Sequence, residues 1–188
     1  KKEYIAISTS FQKGEDRQIR GRILLFEIIS IVPDPEAPYR DHKFKLIFQE
    51  EQKGPVSTLS HVNGYLLAAV GTKLLMFAFD EEDNDALVAI AFMDSGLYTS
   101  CISSLKNYCI IGDVYKSAMF CVWQEEPPKL ILLGQDGHSI TTSCVEFMVH
   151  NKQLYLVVAD VLGNVHTFAY APSHAQSNSG VKLVKKSH

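Results

Sequence analysis

The chain has 188 residues, of which 46% are hydrophobic and 21% charged, with a formal net charge of −3 and a pI near 6.2. That length allows a sizeable core, and the composition is too apolar for a disordered tail. The charge argues against a polyanion-binding stripe over the whole surface, though a local basic patch stays open.

Val, Ile, Thr, Phe and Tyr are abundant, which favours strands over helices. The first unit, 1–53, reads as an incomplete one with long loops, with strands expected at 4–9, 21–28 and 43–50. Between the last two, Val32-Pro33-Asp34-Pro35-Glu36-Ala37-Pro38 cannot continue a ladder and is expected to project from the surface. The rest of the chain repeats. Asn63-Gly64-Tyr65-Leu66-Leu67, Asn107-Tyr108-Cys109-Ile110-Ile111 and Asn151-Lys152-Gln153-Leu154-Tyr155 line up, their asparagines stepping by about 44 residues, within the span of a propeller blade.

Each repeat divides into four short apolar runs separated by turn signals. In unit 54–94 they are expected at 56–60, 65–70, 73–79 and 86–92, and in unit 95–137 at 98–105, 108–111, 117–123 and 129–133. Unit 138–188 gives 140–149, 154–159, 164–170 and a weak run at 181–184. Gly, Pro, Asn and Asp interrupt every run before it makes three helical turns. The fold expected is all-β, a partial β-propeller of three to four blades of four antiparallel strands, with 1–188 forming part of one propeller domain. An acidic tip at 80–85 and a polar insert at 171–180 break the regularity.

The longest apolar run, 86–93, is far short of the roughly 20 residues of a spanning helix. No signal peptide precedes the first strand, and the chain opens on Lys1, compatible with a piece of a longer protein. Cys101, Cys109, Cys121 and Cys144 contain no C-x-x-C pair and lie in apolar stretches, so they read as small buried hydrophobes in a reducing compartment.

No nucleophile elbow, phosphate loop, dinucleotide fingerprint or zinc-protease motif is present. His42, His61, His138, His150, His166, His174 and His188 show no metal-ligand spacing, so neither metal nor cofactor is expected. Asp113 and Asp160 open equivalent turns, where a carboxylate bonds the following amides. With His166 they would form the polar centre of an enzyme, if there is one. Basic residues cluster at Lys13, Arg17, Arg20 and Arg22 and at Lys182, Lys185 and Lys186, with Phe11 the one nearby aromatic. Such clusters suit a solvated face or a protein contact better than a base-stacking platform.

Set in order, several strings carry a family resemblance. They are Arg20-Gly21-Arg22-Ile23-Leu24, the prolines followed by Lys43-Phe44-Lys45, and Glu51-Gln52-Lys53-Gly54-Pro55-Val56. Asn63-Gly64, Ala91-Phe92-Met93-Asp94, Lys106-Asn107, Gly112-Asp113-Val114-Tyr115-Lys116-Ser117 and Glu146-Phe147-Met148-Val149 follow. The chain resembles the C-terminal portion, the third propeller, of the largest-subunit family of the cleavage and polyadenylation specificity factor. Two relatives share that propeller type: the large subunit of the UV-damaged-DNA-binding factor and a large subunit of splicing factor three b. The family proteins are far longer, continue past a basic stretch like 182–186, and draw strands of that propeller from both chain ends.

The resemblance implies a non-enzymatic nuclear scaffold in messenger-RNA 3′-end cleavage and polyadenylation. It would organise the subunits that recognise the polyadenylation signal, WD-repeat and zinc-finger proteins among them, and touch pre-mRNA mostly indirectly, with no membrane partner. The alternatives are an adaptor propeller of a ubiquitin ligase or splicing complex, a direct nucleic-acid-binding module, and a propeller enzyme. No partner-contact residue follows from a short motif. An open arc would leave lateral faces bare, lined by residues such as Ile23, Leu25, Phe77 and Phe120.

Overall fold

The computed structural model describes residues 3–11, 20–33, 35–36, 39–80, 86–170 and 183–187. Among them every regular element is a strand. The first sheet holds β1 (Tyr4–Phe11), β2 (Arg20–Ser30) and β3 (His42–Gln52). The second holds β4 (Val56–Val62), β5 (Tyr65–Val70), β6 (Lys73–Asp80) and β7 (Ala86–Asp94). The third holds β8 (Thr99–Leu105), β9 (Tyr108–Asp113), β10 (Ser117–Gln124) and β11 (Lys129–Gln135). The fourth holds β12 (Thr142–His150), β13 (Gln153–Asp160), β14 (Val165–Tyr170) and β15 (Leu183–Ser187). Each is an antiparallel meander in chain order, and β4, β8 and β12 lie side by side. The protein is a partial propeller: successive sheets stacked face to face along their first strands.

Three apolar layers fill the spaces between sheets. Ile23 of the first sheet meets Val56, Ala68, Val70, Phe77 and Leu87 of the second. Leu67, Ala69, Leu74 and Met76 face Cys109, Ile111, Met119, Cys121 and Trp123 of the third. Ile110, Ala118 and Phe120 face Val145, Leu156, Val158 and Phe168 of the fourth. Second strands such as β5, Tyr-Leu-Leu-Ala-Ala-Val, therefore bury both faces, which is why they read as continuous apolar runs rather than alternating ones. The expectation that Ile23, Leu25, Phe77 and Phe120 line bare lateral faces is corrected: all four are buried, and Ile23, Phe77 and Phe120 fill these layers.

Sheets approach most closely where glycine allows it. A Cβ on Gly112 would sit 2.6 Å from Cys101 Sγ and 2.7 Å from Thr142 Cγ2, and one on Gly21 would lie 2.6 Å from the Val56 nitrogen. Between first and second strands the register slips at Val56/Thr58, Thr99/Cys101 and Thr142/Cys144, leaving Ser57, Ser100 and Ser143 as the bulged residues. The spatial repeat thus runs in steps of 43 through the serines rather than in the 44-residue steps of the asparagines. Asn63 and Asn151 open their turns with positive φ (48° and 50°), whereas in the middle repeat Lys106 takes that conformation (55°) and Asn107 is the second turn residue.

The cysteine expectation is met in part. Cys109 and Cys121, register partners on neighbouring strands, are buried; Cys101 is half-buried and Cys144 exposed, because first strands bury one face less completely. All four thiols are free. Hydrogen bonding to Cys109, then burial, push the Cys121 thiol well above its usual range.

Candidate interaction surface

The polar residues flagged by sequence are consumed in building one end of the arc. Asp113, fully buried, closes the β9–β10 turn: its Oδ1 accepts from the Tyr115 and Lys116 amides (2.8 and 2.9 Å) and its Oδ2 from the Tyr98 amide (2.9 Å). Asp160 does the same at the β13–β14 turn, accepting from the Leu162 and Asn164 amides (2.9 and 2.8 Å). Its other oxygen accepts from the Asn164 side chain and lies 2.9 Å from Nε2 of buried His166. The Asn164 side chain, and after it His166, hold the Asp160 carboxyl far below the ordinary carboxylate range. Asp113 and the Asp160–His166 pair belong to different sheets, each bonded into its own turn, rather than to one polar centre.

A third buried carboxylate, Asp136, is not legible in the sequence. Asp136, after β11, accepts the Ser117 hydroxyl (2.7 Å) and pairs with Nδ1 of His138 at 2.8 Å. The one local signal was Asp136-Gly137, a turn dipeptide; the bond to Ser117 spans 19 residues and leaves no local trace.

These carboxylates stiffen a row of loops at one end of the sheets. The Val114 amide donates to the Tyr98 carbonyl (3.0 Å), the Ser139 hydroxyl to the Tyr115 carbonyl (2.9 Å), and the Val161 amide to the Thr141 carbonyl (3.1 Å). The β7–β8, β9–β10, β11–β12 and β13–β14 connections are thereby laced together. On this frame Leu97, Tyr98, Tyr115, Val161, Leu162 and Val165 stand exposed, Tyr115 at 61% and Leu162 at 83%. Apolar tips fixed on rigid loops are suited to docking: burying them would remove apolar area from water at little ordering cost.

The first basic cluster is partly neutralised among the described residues. Lys13, Arg17 and Lys182 lie outside the described residues, as do Glu81–Asp85 of the acidic tip and 171–180 of the polar insert. Arg20 is ion-paired with Glu51 on the adjacent strand, and Arg22 reaches the same carboxylate at 4.0 Å. The Arg20 hydrogen bond lowers the Glu51 carboxyl below its usual range. Val32 of the proline loop is 93% exposed, and on β3 Phe44 stands exposed between Lys43 and Lys45. Among the described residues no three His, Cys, Asp or Glu side chains group as metal ligands, and no helix is long and apolar enough to cross a membrane.

Four antiparallel sheets stacked in chain order define a protein of the β-propeller repeat class. The chain belongs to the CPSF A subunit region family, whose model matches residues 1–188. It is 41% identical over 186 residues to a Schizosaccharomyces pombe relative, "Protein cft1", covering 99% of this chain and 13% of that protein. It is 38% identical over 185 residues to the Drosophila melanogaster "Cleavage and polyadenylation specificity factor subunit 1", covering 98% of this chain and 12% of that protein. The Aspergillus niger "Protein cft1" is 37% identical over 191 residues, 100% of this chain and 14% of its own length. The chain thus spans about an eighth of these relatives.

Proposed function

We propose that this chain is part of a non-enzymatic nuclear scaffold for messenger-RNA 3′-end cleavage and polyadenylation, and that residues 1–188 form part of a single propeller within it. The observation that carries this reading is the similarity, along 98% of the chain, to a protein named as subunit 1 of the cleavage and polyadenylation specificity factor. The surface supports it. The loop row from Leu97 to Val165 offers apolar anchors to other subunits, and the WD-repeat and zinc-finger subunits that read the polyadenylation signal are the partners proposed.

Contact with pre-mRNA is then mostly indirect. Arg20 and Arg22 share Glu51, so the charge available to phosphate on this strand pair is small. A filter-binding titration of the full-length protein without its partners tests the reading. Weak binding that falls steeply between low and physiological salt, with little sequence preference, is expected. Tight, AAUAAA-selective binding that hardly responds to salt would overturn it.

A further inference from the structure

We propose that the protein segment docking on the loop row carries a carboxylate, an Asp or Glu side chain set between apolar residues, and that Lys116 receives it. The proposal rests on the docking of other subunits at that row and adds the chemistry of what docks there.

Lys116 is placed among the apolar tips. Its amide donates to Asp113 Oδ1 at 2.9 Å, beside that of Tyr115, so the buried carboxylate sets where the side chain leaves the β9–β10 turn. From there the side chain lies across Gly96 of the β7–β8 connection. A Cβ on Gly96 would stand 2.9 Å from Lys116 Cδ, 3.0 Å from its Cε and 2.9 Å from its Nζ. Gly96 has a φ of 107°, which already selects glycine, and its bare α-carbon leaves the space in which the lysine lies. The ammonium therefore sits against the loop that presents exposed Leu97 and Tyr98, and exposed Tyr115 precedes Lys116 in the chain.

No carboxylate of the described residues pairs with it. Backbone amides take both oxygens of Asp113. Ser117 and His138 take those of Asp136, and the β13–β14 turn with His166 takes those of Asp160. Glu51 is held by Arg20 and Arg22, and Asp94 stands opposite Lys73 in the ladder. Lys116 thus brings three N–H donors to the tips and finds no acceptor there.

Docking turns that surplus into a requirement. A partner that buries Leu97, Tyr98 and Tyr115 also takes water from the ammonium lying against them, and an unpaired ammonium out of water is costly. A carboxylate offsets that cost with a short charge-assisted hydrogen bond, whereas a main-chain carbonyl brings no opposing charge. The residues flanking the carboxylate meet apolar tips and are apolar themselves. A phosphate backbone would match the ammonium but offers nothing apolar to Leu97 or Leu162, so this surface fits an acidic peptide better than RNA.

Co-purification of the full-length protein with the WD-repeat and zinc-finger subunits of the polyadenylation factor tests this. Lys116→Glu should recover at least about tenfold less of them than wild type at physiological salt, and Lys116→Arg nearly as much as wild type. Undiminished recovery by Lys116→Glu, or an equal loss with Lys116→Arg, would overturn the proposal. A photoreactive benzoylphenylalanine in place of Tyr98 supplies a readout without charge reversal. Irradiated in the assembled complex, it is expected to join a protein segment with an Asp or Glu beside the adduct. An adduct to RNA, or to a segment lacking an acidic residue there, would overturn the assignment. Tyr115→Ser combined with Leu162→Ser separates the two failures. If that variant keeps its partners, the docking reading falls and the proposal with it; if it loses them while Lys116→Glu does not, the proposal alone falls.

Discussion

The Ser100 hydroxyl donates to the Thr142 carbonyl at 2.7 Å, joining the third sheet to the fourth through a residue that its own ladder leaves out. Ser57 makes the same bond to Thr99 one boundary earlier, also at 2.7 Å. A bulge frees one residue from cross-strand pairing, and here its side chain stitches neighbouring blades together. Replacing Ser100 with Ala removes that bond and leaves the Thr142 carbonyl dry, a loss of about 1 kcal/mol. Ser100→Thr keeps a hydroxyl and should lose less. Chemical denaturation of the full-length protein measures both, and equal losses would mean that the hydroxyl carries none of the effect.

The strand order was readable because each second strand is a short apolar run closed by turn residues, as β5 is by Asn63-Gly64 and Gly71-Thr72. The phase of the repeat was not. Asn107 imitates Asn63 and Asn151 in sequence but occupies the other turn position, and the serines that set the true phase look like ordinary polar strand residues. Bonds from Asp113 to the amides just after it are local and were legible. The bond from Asp136 to Ser117 depends on β10 and β11 having paired, so only the fold reveals it. The apolar loop tips leave no sequence signal because Leu97, Tyr115 and Leu162 lie far apart in the chain and only the end of the arc gathers them.

Asp113→Asn replaces one acceptor oxygen with an amide donor facing backbone N–H groups. With three amides bound to the carboxylate, the variant should lose about 2 kcal/mol and loosen the Tyr98 and Tyr115 loops. Thermal unfolding and exchange rates of the Tyr115 and Lys116 amides check this. An unchanged melting temperature together with a defined turnover lost would favour a catalytic Asp113.

Asp160 gives the fold a sensitivity to acid. Its carboxyl is held far below the unfolded value of about 4, so its stabilising contribution is complete above that value and is lost as pH falls further. Asp160→Asn should be less stable at neutral pH and show a flatter decline of stability below about pH 4. Melting curves across that range for both proteins decide it, and parallel slopes would count against the role given to Asp160.

Residues 1–188 expressed alone should associate or remain molten, since the β1 edge and the outer faces of the first and fourth sheets are left uncovered. Restoring the polypeptide upstream of Tyr4 should reduce that association. Light scattering and denaturant titration of the two versions provide the comparison. A stable monomer with one sharp transition for the 188-residue piece would contradict this expectation.

Co-purification addresses the scaffold reading most directly. The full-length protein should be isolated from nuclear extract as wild type and with Tyr115→Ser and Leu162→Ser combined, and its associated proteins quantified by mass spectrometry. The wild type is expected to bring down the WD-repeat and zinc-finger subunits of the polyadenylation factor. The double variant, with unchanged melting because both side chains are exposed, should recover at least about tenfold less of them, as truncating anchor residues does at other interfaces. Recovery of splicing or ubiquitin-ligase subunits in their place, or undiminished recovery by the variant, would contradict the account.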